Sequence, residues 1–138
     1  MTRSIETRTE FISFDDTDDV VRCEVKATSE HLLEDAIDNV RATGEITGGR
    51  RVFLLLDART TVAISREARE YYVGPQNAEL VRATAMLINS SVGRIIGNFI
   101  LRVNRPPFPF RLFSDDESAG AWFHELRRAD TDDAHGDL

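Results

Sequence analysis

The sequence predicts a single α/β domain, with a mixed sheet that is mostly parallel in its centre and elements ordered β-β-α-β-α-β-α-β-α. Three observations carry this. First, residues 89–113 spell a whole helix-to-strand unit. Ser90 or Ser91 caps it, Val92, Ile95, Ile96, Phe99, Ile100 and Val103 form one apolar stripe, and Pro106, Pro107 and Pro109 stop the helix before the strand-like FRLF. Second, Val52 to Leu56 is apolar at every position, as in a central parallel strand covered on both faces. Third, amphipathic segments alternate with strand-like runs after an opening hairpin, which calls for crossover helices.

Taken in order, strand-like runs Thr7 to Phe14 and Val20 to Ala27 flank the acidic turn DDTDD. In the second run Val21, Cys23, Val25 and Ala27 alternate with Arg22, Glu24 and Lys26, so Cys23 is expected to point inward as an inert small hydrophobe. The turn lacks the spaced ligands, glycine and distal glutamate of a calcium loop. Thr28 or Ser29 is the expected cap of a helix burying Leu32, Leu33, Ala36, Ile37 and Val40, stopped by Gly44. His31 is expected in its first turn, capping or exposed, with nothing beside it to complete a metal site.

After the strand Val52 to Leu56, Ser65 caps a helix that turns Ala68 and Tyr72 inward and ends at Gly74 and Pro75. Arg82 to Asn89 reads as the next buried strand, with Ala83, Ala85 and Leu87 on one face and Met86 and Ile88 on the other. The last helix opens at SDDE with Ser114 and Glu117 as a capping box and buries Ala119, Trp122, Phe123 and Leu126. The domain is expected to span residues 1–128. Residues 129–138, ADTDDAHGDL, read as a disordered acidic tail.

Composition narrows the function classes. At 138 residues and 41% hydrophobic content, one core is expected. A net charge of −7 with almost no lysine argues against nucleic-acid binding, which needs clustered cations. The longest apolar run, VFLLL, is too short to span a bilayer, and the N-terminal MTRSIETRTE carries no hydrophobic segment, so no stable membrane insertion and no export are expected. A lone cysteine, Cys23, fits a cytoplasmic location. No residue pattern proposes a catalytic group, a metal or a cofactor.

The order of elements, with LLLD leading through ARTTVAIS into a short capped helix, resembles the STAS domain, the SpoIIAA-like fold of bacterial anti-sigma-factor antagonists. More narrowly, ISREAREYYV, LINSSVGRIIGNF, NRPPFPFRLF and the SDDE helix look like a bacterial family of small uncharacterised STAS-like proteins. The resemblance covers roughly residues 20–128 and implies a non-enzymatic regulatory or protein-interaction module. The phosphoserine pair of those antagonists is missing: Ser65 falls on its aspartate position and Arg66 on its serine. Ser65 itself is either a phosphoacceptor at a helix start or a plain cap. STAS-like folds also resemble the lipid-binding SEC14 fold, which implies a small hydrophobic-ligand carrier as the alternative.

Two surfaces are candidates. Ligands of open α/β sheets gather beyond the carboxyl ends of parallel strands, here a rim of Asp57, Arg59, Ser65, Arg66, Asn89, Ser90, Ser91 and Arg94 suited to an anion or a partner. On the helix after Ser90, Gly93 and Gly97 permit close backbone approach, while Arg94, Asn98, Leu101 and Arg105 share an outer face. That face, with Phe108 from the PPFPF loop, is a candidate interface for a protein partner or a second copy in a homodimer.

Overall fold

The computed structural model describes residues 1–27, 30–61 and 63–136, with side chains through residue 131. Its strands are β1 (Thr2–Glu6), β2 (Glu10–Asp15), β3 (Val20–Val25), β4 (Glu30–His31), β5 (Val52–Asp57), β6 (Ala63–Ile64), β7 (Val81–Leu87) and β8 (Phe110–Phe113). Its helices are α1 (Leu33–Thr47), α2 (Arg66–Tyr72), α3 (Pro75–Ala78), α4 (Ser91–Phe99), continued by a π-turn over Ile100–Asn104, and α5 (Asp116–Gly136). The main sheet has six strands in the order β1-β2-β3-β5-β7-β8, and β4 and β6 form a small parallel pair beside it.

The first two pairings are antiparallel and the next three parallel, with β5 in the interior between β3 and β7. Strand parity then assigns the layers. Val52 and Leu54 of β5 join Ile12, Phe14, Val21 and Cys23 against Ala42 and Ile46 of α1. Phe53 of β5, with Ala83, Ala85 and Leu87 of β7, packs on Ala119, Trp122 and Phe123 of α5 across the opposite face. The expected two-sided burial of β5 and β7 is what the structure has.

Several boundaries depart from the sequence reading. An extra strand, β1, precedes the hairpin; its TRSIE offers one apolar side chain, too few for a period-two signal. The expected caps Thr28 and Ser29 lie outside the described residues. Helix α1 begins one turn later, with the Asp35 carboxylate accepting from the Leu32 N–H at 2.9 Å. It ends at Gly48 in the left-handed conformation, φ 65°, and not at Gly44, whose bare face lies against Leu80. Leu32 and Leu33 are exposed, and the buried side of α1 instead includes the polar ladder Asp35, Asn39, Thr43 and Thr47. A short helix, α3, follows Gly74 where the sequence suggested only a stop. At α5 the acceptor is Asp115, not Ser114, bonding the Ser118 N–H at 2.7 Å. That helix runs past Arg128 to Gly136, with Arg82 pairing Asp130 at 2.5 Å.

The largest correction concerns α4. Its cap is Ser90, which accepts from the Gly93 N–H at 3.1 Å. The helix is rolled so that Gly93 and Gly97 face inward, over Ile88 and Leu112. Of the expected buried stripe only Ile100 is buried and Ile96 partly so; Val92, Ile95, Phe99 and Val103 are 50%, 68%, 41% and 59% exposed. The physical reason is space. Phe108 and Phe110 from the proline loop and β8 occupy the core beside β7, and the two glycines let the helix backbone settle over Leu112.

Candidate functional site

Two features of the structure have the character of a site: a polar-lined cavity inside the domain and the outward apolar side of α4.

The cavity, about 60 Å³, lies between the sheet and helices α1 and α2. Glu10, Cys23 and Leu54 of the sheet, Asn39 and Thr43 of α1, Tyr72 of α2, His31 of β4 and Ile100 of the π-turn line it. Glu10 arrives there because β2 alternates, placing Glu10, Ile12 and Phe14 on one inward face. Asn39 and Thr43 arrive because they are four apart on α1.

The polar groups form a chain. Asn39 Nδ2 donates to the Tyr72 hydroxyl and to Thr9 Oγ1, both at 2.9 Å, while Thr7 Oγ1 donates to Asn39 Oδ1 at 2.5 Å. Besides accepting from Asn39, the Tyr72 hydroxyl has one proton and two groups to which it can go, His31 Nδ1 at 2.8 Å and Glu10 Oε2 at 3.5 Å. While Glu10 is protonated the hydroxyl gives that proton to the shorter contact, so His31 Nδ1 accepts and the neutral ring carries its hydrogen on Nε2. Burial pushes the Glu10 carboxyl up to about 7 against the hydrogen bonds that Cys23 and Tyr72 offer its ionised form, and pushes the His31 imidazole down to about 4 against the pull of Asp35. Burial likewise raises the Cys23 thiol and the Tyr72 phenol well above their usual values. The interior is therefore a neutral network near pH 6. Three lining groups have no hydrogen-bond partner: His31 Nε2, Thr61 Oγ1 and Arg69 Nε.

The expected rim behaves differently. Asp57 is 7% exposed and clamped: Arg59 Nε and Nη2 reach its two oxygens at 2.9 and 2.7 Å, and Arg22 Nη2 adds a third contact at 2.9 Å. Arg22 also holds Asp116 of α5 at 2.6 Å. Burial acts to raise the Asp57 carboxyl, and Arg59 with Arg22 outweighs it and holds the group below its ordinary value. Asp57 and Arg59 are thus spent on tying β5 to β3 and α5. Ser65 caps α2, accepting from the Ala68 N–H at 3.1 Å, and Arg66 pairs with Glu70 on the surface at 3.0 Å. Asn89, Ser90, Ser91 and Arg94 are exposed around the start of α4. On the expected interface, Asn98 and Arg105 are exposed and Leu101 is half-buried, but Phe108 is buried at 7% and belongs to the core. Among the described residues no three His, Cys, Asp or Glu side chains converge as metal ligands, and no helix is long and apolar enough to cross a membrane.

A model of a family described as a domain of unknown function, DUF7793, matches residues 14–127. The chain belongs to the DUF7793 family. The DUF7793 chain is similar in structure to an uncharacterised protein of the DUF3478 family with a SpoIIAA-like fold from Shewanella loihica PV-4, at 12% identity and a TM-score of 0.52, over 88% of this chain and 91% of that one. The fold is therefore SpoIIAA-like, as the STAS resemblance implies. No curated protein matches this DUF7793 member.

Sequence reading missed Glu10 and His31. Glu10 had a usable signal, sharing its parity with Ile12 and Phe14. His31 had none, since its burial depends on the two-residue pairing of β4 with β6.

Proposed function

We propose that this chain is a non-enzymatic regulatory module of the cytoplasm that works by protein–protein interaction, with the outward side of α4 as its docking surface. The observation that supports this reading is the side-by-side exposure of Val92, Ile95, Phe99 and Val103 on a helix whose glycine face is turned inward. An apolar helix face left in water marks a surface that is covered in use. Its border is basic on balance: Arg69 and Arg66, the latter paired with Glu70, line the groove with Phe99 and Val103, and Arg102 is exposed on the π-turn. Charge complementarity fits an amphipathic partner helix with acidic edges.

The test is a photo-crosslinking residue at position 95 in the cells that make the protein. A single crosslinked partner, lost with Phe99→Glu and retained with Arg111→Glu on β8, supports the reading; a self-crosslink with the same dependence assigns the face to a homodimer. Crosslinks indifferent to Phe99→Glu would falsify it. A lipid-like cargo is the weaker reading, because about 60 Å³ is well short of the roughly 150 Å³ that holds one benzene.

A further inference from the structure

The interior cavity has a chemistry of its own. Its walls are mostly aliphatic or aromatic, with Val25, Leu54, Leu56, Ile64, Ile100 and Phe110 among them. Set into these walls are three hydrogen-bonding groups without partners: His31 Nε2, with the residue 1% exposed, Thr61 Oγ1, with the residue 6% exposed, and Arg69 Nε. The tautomer set by Tyr72 makes the His31 group an N–H donor, and Arg69 Nε is always one. The guanidinium of Arg69 gives its Nη1 to the Ile64 carbonyl at 2.6 Å and stacks 4.6 Å from the Phe99 ring centroid, and among the described residues it has no carboxylate at ion-pair distance. Unmatched buried donors are costly, so such a set is normally completed by an acceptor. The carboxyl that lines the cavity, Glu10, is buried and pushed up to about 7, so below that pH it is neutral and does not repel an incoming anion.

We propose that this cavity is a binding site for a small monocarboxylate of acetate or propionate size, its oxygens taken by His31 Nε2, Thr61 Oγ1 and Arg69 Nε and its alkyl end packed on the aliphatic walls. A volume of about 60 Å³ suits a ligand of about four non-hydrogen atoms. The route in is also on the structure: Arg69 and Val73 line both this cavity and the outer groove formed with Phe99, Val103 and Asn104, so they are the partition between them.

The experiment is a titration of the full chain with sodium acetate and sodium propionate, followed by two-dimensional amide NMR, with sodium chloride and methylammonium chloride as controls. Saturable shifts at Thr61, Ile64 and Arg69 with a dissociation constant of the order of 1 mM are expected, and none with the controls. Thr61→Val should weaken binding about fivefold and Arg69→Gln about tenfold or more, from loss of a neutral and a charged hydrogen bond. If Thr61→Val does not fold, Arg69→Gln decides alone. Unsaturated shifts at about 50 mM that match sodium chloride, or a constant unmoved by Arg69→Gln in folded protein, would overturn the site and leave ordered water as its content.

Discussion

His31 Nδ1 stands 3.8 Å from Glu10 Oε2, with both side chains sealed from solvent, yet the two are neutral partners and not an ion pair. Their titrations oppose each other. Glu10 rises from 4.5 to about 7 on folding, so its contribution is full below pH 4.5 and is lost as pH rises to about 7. His31 falls from 6.5 to about 4, so its contribution is full above pH 6.5 and is lost as pH falls to about 4. Between about pH 4.5 and 6.5 the unfolded chain gains one proton at His31 and loses one at Glu10, and the two slopes cancel. Asp35, Arg8, Tyr72 and Cys23 are the other charged or titratable groups that act on the pair.

Urea denaturation across that window should therefore show little pH dependence from this pair in the wild type. Glu10→Gln should leave the histidine term alone, so that stability falls toward acid by up to about 1 kcal/mol per pH unit. His31→Gln should give the reverse slope, with stability falling as pH rises. Parallel profiles for all three proteins would show that the two groups are not protonated as described.

Asp57 is the counterion of two arginines from different elements, Arg22 of β3 and Arg59 of the following loop. Asp57→Asn removes the carboxylate they share and leaves them only the exposed Asp116, at 2.6 Å from Arg22 and 3.8 Å from Arg59, so it should cost about 1–2 kcal/mol, discounted for their partial exposure. Because the carboxyl is held below its ordinary value, the stability it provides is present above that value and lost in acid; the variant should lack that acid-side loss.

Gly97 and Gly120 are both helical glycines with opposite surroundings. A Cβ on Gly97 would stand 2.6 Å from Leu112 Cδ2, whereas one on Gly120 meets nothing within 4 Å. Gly120→Ala should raise stability by about 0.5–1 kcal/mol through helix propensity and the unfolded state. Gly97→Val, whose branch has no room beside Leu112, should lower it by about 1–3 kcal/mol. Thermal melts of both variants are the check.

Ile95 and Phe108 exchange the roles that their sequence contexts suggest. With Ile95 68% exposed and Phe108 7% exposed, Ile95→Glu should change stability by less than about 0.5 kcal/mol, while Phe108→Ala should cost about 3–5 kcal/mol. A large loss for Ile95→Glu would mean that the α4 stripe is core after all.

Where periodicity and burial agree, the fold was legible. Val52 to Leu56, the split parity of Ala83 and Met86, the caps at Ser65 and Ser90, and the inward Cys23 all follow from local pattern. The roll of α4 was not legible, because an amphipathic stripe states which side is apolar and not what space the rest of the chain leaves for it. Here Phe108, Phe110 and the two glycines decide, and they act at long range. The site was less legible still. Its polar members come from β2, β4, α1 and α2, and no two of Glu10, His31, Asn39 and Tyr72 are near neighbours in the chain.

Arg69 stands in a single wall with two outlooks, lining both the inner chamber and the outer groove, its Nε buried without a partner and its guanidinium over the Phe99 ring. Any body that draws Phe99 aside alters the hold on that guanidinium, and any guest that engages Nε alters the footing of Phe99. Thermodynamic reciprocity then requires the two occupancies to influence one another equally, by one shared side chain and without any movement of the sheet.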